Sequence, residues 1–220
     1  MTEFKKILAS AAYEIGIELS AKEVSQFDTY HREILLWNEK ISLVSARSIV
    51  DLPVKHCIDS LTALKFIGPE SATLLDIGAG AGFPGIPIKI VRSSLKATFV
   101  DSHRKKVTFL KNVALKLKLN DAVILNQRIE SLINDERHLG IYDVVISRAT
   151  FGLSQYLSLG APFLSPKGVL IAMKGRGVDA ELEGALDIDH REKLILTERH
   201  EFDLPVIGDK RVLLAFQRLD

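Results

Sequence analysis

The segment from Thr73 to Val91, TLLDIGAGAGFPGIPIKIV, constrains the fold of this chain more than any other. An apolar run that closes on an acid reads as a buried strand, and a run of apolar residues carrying prolines follows the glycines as a helix. Glycine tolerates positive φ and lets a ligand approach the backbone, while proline at a helix start sacrifices no hydrogen bond. Strand, turn and helix are therefore expected in that order. The backbone N–H groups of such a turn are expected to point at whatever sits above the sheet edge.

Gly78 and Gly80 fit the dinucleotide fingerprint G-x-G-x-x-G, but its third glycine position holds Phe83 and the template has no place for Asp76. That mismatch argues against a nicotinamide-dependent oxidoreductase. The spacing D-x-G-x-G-x-G over Asp76, Gly78, Gly80 and Gly82 instead resembles the first motif of S-adenosylmethionine-dependent methyltransferases. A tight turn without a ligand is the other reading of three spaced glycines.

Beyond the turn the chain alternates between strand and helix patterns. Strands are expected at 73–76, 97–101, 122–126, 142–147, 168–173, 193–201 and 211–217, with helices at 85–92, 103–118, 151–164 and 178–185. Such alternation implies a Rossmann-like α/β sheet, mostly parallel and covered on both faces. Only the loop 204–209 separates the last two strands, so they form an antiparallel hairpin at one edge. Upstream, residues 3–16 have helical periodicity, Ser20 and Glu23 form a capping box for a second helix, and 41–44 read as extended. Ser48 starts a short third helix and Lys55 to Phe66 a fourth. Residues 1–70 are thus an N-terminal helical extension and 71–220 the α/β domain.

Ligands of open α/β sheets lie beyond the C-terminal strand ends. There Asp101, about twenty residues past the glycines, is placed to accept hydrogen bonds from a ribose, sharing that role with Ser102. Its other reading is a cap for the helix near His103. The third strand runs into Arg128, Ile129 and Glu130, and the fourth into Arg148, which reads as an anion or substrate clamp. Lys174, Arg176, Lys210 and Arg211 share the same rim, while Arg104, Lys105, Lys106 and Lys111 open a helix and read as a solvated face, with RNA contact as the other reading. A net charge of +1 does not announce a nucleic-acid binder, so any basic face must be local. The single Cys57 reads as a small buried residue, excludes an internal disulfide and suits a reducing compartment. No histidine–cysteine cluster has metal spacing, no run approaches membrane-spanning length, and Met1 to Lys6 lacks the apolar core of a signal peptide.

Taken together, Trp37 to Ile41, His56 to Ser60, Asp76 to Pro87, Asp101-Ser102, Arg128 to Glu130, Ile146 to Ala149 and Met173 to Gly175 resemble a specific family. They are similar to the bacterial 16S rRNA guanine-N7 methyltransferases, the glucose-inhibited division protein B family. The resemblance spans nearly the whole chain, and the run Gly82 to Pro87 is its most specific part. It implies a class I methyltransferase sheet and methyl transfer from S-adenosyl-L-methionine to N7 of a guanine in the 530 loop of 16S rRNA. By similarity Gly78, Phe83, Ile129, Glu130 and Arg148 match cofactor positions, joined by Asp76, Gly80, Gly82, Asp101 and Ser102. His56, Arg128, Lys174 and Lys210 match basic positions on the RNA side, with Arg176 beside them, and Arg148 and Lys174 are the expected catalytic pair. The partner implied is 16S rRNA within the 30S particle, met in the cytoplasm by a monomer without metal or membrane. Another RNA or a protein as methyl acceptor is the alternative. One departure from the family is Ser42-Leu43-Val44, where an Asn-Leu-Thr is usual.

Overall fold

The structure, a computed structural model, describes residues 2–148, 151–185 and 193–219. Ala149, the end of one segment quoted above, lies outside them. Seven strands form one sheet: β1 (Thr73–Ile77), β2 (Lys96–Asp101), β3 (Ala122–Asn126), β4 (Tyr142–Arg148), β5 (Leu164–Lys174), β6 (Leu194–Asp203) and β7 (Lys210–Arg218). Their order is β3-β2-β1-β4-β5-β7-β6. The first five are parallel, and β7 runs antiparallel to both β5 and β6.

The final hairpin forms as its short loop dictates, but β7 is inserted between β5 and β6. The residues explain the order. Val212 to Phe216 are buried in an unbroken run, as a strand covered on both faces requires. β6 reads LILTERHEFD, mostly exposed beyond its first residue, which suits a sheet edge.

On one face of the sheet pack α1 (Glu3–Glu14), α2 (Ala21–Asn38), α5 (Gly85–Val91) and α6 (Arg104–Lys116); on the other lie α7 (Ile129–Leu132), α8 (Leu153–Gly160) and α9 (Val178–Glu183). Between α2 and the sheet come α3 (Ala46–Val50), a π-helical turn over Pro53–Ile58, α4 (Asp59–Leu61) and a 3-10 turn over Thr62–Phe66. The capping box at Ser20 and Glu23 is present. α3 starts at Ala46, two residues before Ser48, because the Ser45 hydroxyl accepts from the Ser48 N–H and caps it.

Residues 41–44 form bends instead of a strand. The Asn38 side-chain oxygen accepts from the N–H groups of Leu43 and Val44, at 2.9 and 3.0 Å, which curls the segment around the end of α2. Its β-branched residues are satisfied by a side chain and need no neighbouring strand.

Candidate functional site

β1 alternates its side chains between the two faces of the sheet. Leu75 and Ile77 enter one core cluster, and Leu74 enters the other on the side of the N-terminal helices. Alternation therefore turns Asp76 toward that second side, where it is fully buried. Its Oδ2 accepts from the Gly85 N–H at 2.9 Å, while Oδ1 is buried with no partner among the described residues. Burial pushes this carboxyl up to about 7, against the pull of the Gly85 hydrogen bond and of Arg148. Asp76 braces the turn from beneath, so it is not brought to the ligand face.

The turn itself has positive φ at Gly78, Gly80 and Gly82, of 70°, 58° and 95°. Five N–H groups in and just after it turn inward, where the sequence suggests that they point outward. Those of Gly78 and Ala79 donate to the Val100 carbonyl, Gly80 to Asp101 Oδ2, Gly82 to the Ala79 carbonyl, and Ile86 to the Gly82 carbonyl. With these donors consumed internally, the turn is poorly suited to cradle a phosphate. It offers close backbone approach without an anion hole.

Asp101 is 6% exposed and is used by the backbone at both ends of its carboxylate. One oxygen holds Gly80; the other accepts from the His103 N–H at 2.7 Å, at the entry to α6. It also lines a cleft of about 450 Å³ at the ends of β1, β2 and β3. That cleft brings together Gly78, Asp101, Ser102, Ile129 and Glu130 of the expected cofactor set, and adds Arg128 from the expected RNA set. Its remaining lining includes Lys106 of the basic helix start, and Ile77, Val100, His103, Gln127 and Phe151, to which the sequence assigned no ligand role. Ile77 and Val100 were accessible to the strand-end rule. Phe151 carried no local signal.

Phe83, also expected at the cofactor, is 5% exposed and faces the N-terminal helices. Its ring packs against Tyr30 at 5.3 Å and stacks on His56 at 4.8 Å, with the Arg148 guanidinium 5.0 Å from its centroid. Tyr30 is fully buried and donates its hydroxyl hydrogen to the Ala81 carbonyl at 2.5 Å. Thus α2 and the Pro53–Ile58 turn hold the far side of the glycine turn.

Arg148 leaves β4 toward the same helices. It donates to the Lys55 carbonyl at 3.1 Å, to Asp59 Oδ2 at 3.2 Å and to His56 Nδ1 at 2.7 Å. A guanidinium can only donate, so Nδ1 must accept and His56 carries its proton on Nε2. Burial, with Arg148, Arg211 and Lys55 nearby, lowers the His56 pKa to about 3. His56 is therefore neutral and presents no cation to RNA. Lys174 donates to the Phe151 carbonyl at 2.9 Å and to Glu181 at 2.7 Å, so its ammonium is held within the fold. Lys210 lies 3.5 Å from Asp203, and Arg176 is exposed.

A groove lined by Phe151, Met173 and Lys174 adjoins the cleft, which shares Phe151 with it. Beyond it, Lys55, His56, Arg148 and Arg211 surround Asp59 in a cavity of about 290 Å³. The strand ends thus carry one trough, from the cleft at β1–β3 to β7. Among the described residues no histidine, cysteine and carboxylate group could hold a metal ion, and no helix is long and apolar enough to cross a membrane.

Residues 23–203 match the family model for rRNA small subunit methyltransferase G. A ribosomal RNA small subunit methyltransferase G from Syntrophus aciditrophicus is 42% identical over 97% of this chain and 89% of its own length. The protein of that name from Geotalea uraniireducens is 38% identical over 98% and 97%. Among solved structures, M. jannaschii TYW2 in complex with AdoMet superposes with a TM-score of 0.58 at 18% identity, over 82% of this chain and 80% of that one. A TehB-like SAM-dependent methyltransferase from Corynebacterium glutamicum gives 0.55 at 16%, over 89% and 98%. These two likenesses speak to the fold.

Proposed function

The chain belongs to the rRNA small subunit methyltransferase G family, and on that premise we propose that it transfers a methyl group from S-adenosyl-L-methionine to N7 of a guanine in the 530 loop of 16S rRNA. The observation that carries the cofactor reading is the inward use of the Gly78, Ala79, Gly80, Gly82 and Gly85 N–H groups. A dinucleotide needs such donors for its pyrophosphate; S-adenosylmethionine is a nucleoside without phosphate and needs only close approach. The rest of the cleft fits the same ligand. Asp101 and Glu130 supply carboxylates for ribose hydroxyls, Ser102 a hydroxyl, and Val100, Ile129 and Ile77 an apolar wall for adenine.

Bound there, the cofactor supplies a methyl group on a sulfonium, already activated for displacement. Guanine N7 has a free lone pair, so no residue need remove a proton before transfer. The chain's task is alignment, which can lower a barrier by roughly 7–11 kcal/mol in the best cases. The methylated guanine gains a positive charge, and unpaired cations beside it would oppose the reaction. Arg148 and Lys174 face carboxylates, at 3.2 Å from Asp59 and 2.7 Å from Glu181. Their pairing supports positioning roles near the cofactor and the trough, in place of direct contact with N7.

A net charge of +1 limits electrostatic affinity for naked RNA, because phosphate contacts dominate such binding. This supports folded RNA within the 30S particle, in the cytoplasm, as the substrate, read by shape and unstacked bases. The test is transfer of labelled methyl to unmodified 16S rRNA, naked and in 30S particles. Faster labelling of particles is expected; labelling of neither would contradict the reading.

A further inference from the structure

We propose that the exposed face of α6 beside the cleft, carrying Arg104, Lys105 and Lys111, together with Arg128 at the start of α7, is the surface on which the RNA phosphodiester backbone docks. The inference rests on the rRNA methyltransferase reading for its partner and locates that partner's approach.

Between Arg104 and Lys116 the helix contains no acid. Val107, Phe109, Leu110 and Val113 are buried, which turns Arg104, Lys105 and Lys111 to solvent. Arg104 and Lys111 lie seven positions apart and share one stripe of the helix. Lys106 and Arg128 line the cleft itself, so the patch is continuous with it.

The pairing of charges separates this patch from the rim that sequence order favours. Along β4, β5, β6 and β7 the cations Arg148, Lys174, Arg199, Lys210 and Arg211 each face a carboxylate, as does Lys55 beneath them. Only Arg176 on that rim has no such partner among the described residues. By contrast Arg104, Lys105, Lys106, Lys111 and Arg128 form no ion pair with any described residue. Arg104, Lys105 and Lys111 are exposed and none of them is neutralised by a carboxylate among the described residues, so their charge is available to a polyanion. In a chain of net charge +1, an unpaired group of five cations beside the cleft is the local asymmetry that phosphate contacts require.

The test uses the full chain with Arg104→Ala, Lys105→Ala and Lys111→Ala combined, none of which lines the cleft. The probe is unmodified 16S RNA transcribed in vitro, its binding measured over a series of salt concentrations. Each phosphate contact adds about 0.7–0.9 to the slope of log affinity against log salt, so the triple variant should lose about 2–3 from that slope. Affinity for S-adenosylmethionine, read by calorimetry, should be unchanged, which establishes that the variant is folded. A matched variant, Lys22→Ala with Lys40→Ala and Lys96→Ala, removes the same charge from exposed sites elsewhere and should leave the slope intact. An unchanged slope in the α6 variant, or equal losses in both, overturns the surface. Weakened binding to 30S particles with unaltered binding to naked RNA also overturns it, by placing a ribosomal protein there. RNA binding by the wild type without methyl transfer to RNA or to 30S particles would remove the catalytic reading and leave the surface; binding to neither naked RNA nor 30S particles would remove both.

Discussion

At the scale of single residues, Asp76 shows how alternation in a strand sets chemistry. Its neighbours in sequence suggest a ligand contact, yet the strand's period turns it into an apolar pocket where the carboxyl titrates at about 7. An unfolded chain ionises it at its ordinary value of 3.8. The stability this group contributes is therefore complete below about pH 4 and is lost as pH rises through 7. Asp76→Asn keeps an acceptor for the Gly85 N–H and removes the charge. The stability of the variant relative to wild type, from urea unfolding, should rise between pH 4 and 7 and level off above; a difference independent of pH would contradict the assignment. Arg148 was legible as a clamp, but what it clamps was not, because Lys55, His56 and Asp59 lie about ninety positions away. Arg148→Ala should lower methyl transfer at least about tenfold, equivalent to roughly 1.4 kcal/mol of transition-state stabilisation. Unchanged turnover would remove it from the site.

At the scale of elements, β1, β2, β4 and β5 were legible because buried parallel strands are short apolar runs separated by amphipathic helices. β3, at the sheet edge and partly exposed, was legible because its run Ala122 to Leu125 is apolar too. The place of β7 in the sheet was readable in principle from its unbroken apolar run, yet a hairpin pattern alone does not say which partner forms the edge. The bends at 41–44 depend on one Asn38 side chain, which no propensity records. The glycine turn was legible as a turn, whereas the direction of its N–H groups depends on acceptors supplied by β2 and by Asp101. Its tightness makes a direct prediction. A Cβ at Gly82 would stand 2.5 Å from Ile86 Cγ1 and 2.9 Å from the Tyr30 hydroxyl, at a φ of 95°. Gly82→Ala should therefore cost on the order of 3 kcal/mol in thermal or urea unfolding. A loss within experimental error would mean that the turn is looser than its contacts imply.

At the scale of the molecule, the helices of residues 1–70 are not an appendage. Phe4, Phe27, Tyr30 and Ile34 belong to the same buried cluster as Leu74, Phe83 and Phe99 of the α/β portion. Periodicity revealed these helices, but a repeat of 3.6 residues does not say which surface an apolar stripe covers. A fragment of residues 71–220 exposes that surface and loses the supports of Phe83 and Ala81. It should show no cooperative unfolding transition by circular dichroism, and a cooperative fragment would mean that the α/β portion folds without the N-terminal helices. The central claim concerns what the whole assembly delivers to the cofactor. The measurement that tests it most directly is digestion of labelled 16S rRNA to nucleosides after reaction of 30S particles with methyl-labelled S-adenosylmethionine. The account predicts label in 7-methylguanosine, arising from the 530 loop. Label in any other nucleoside, or in ribosomal protein, would contradict it.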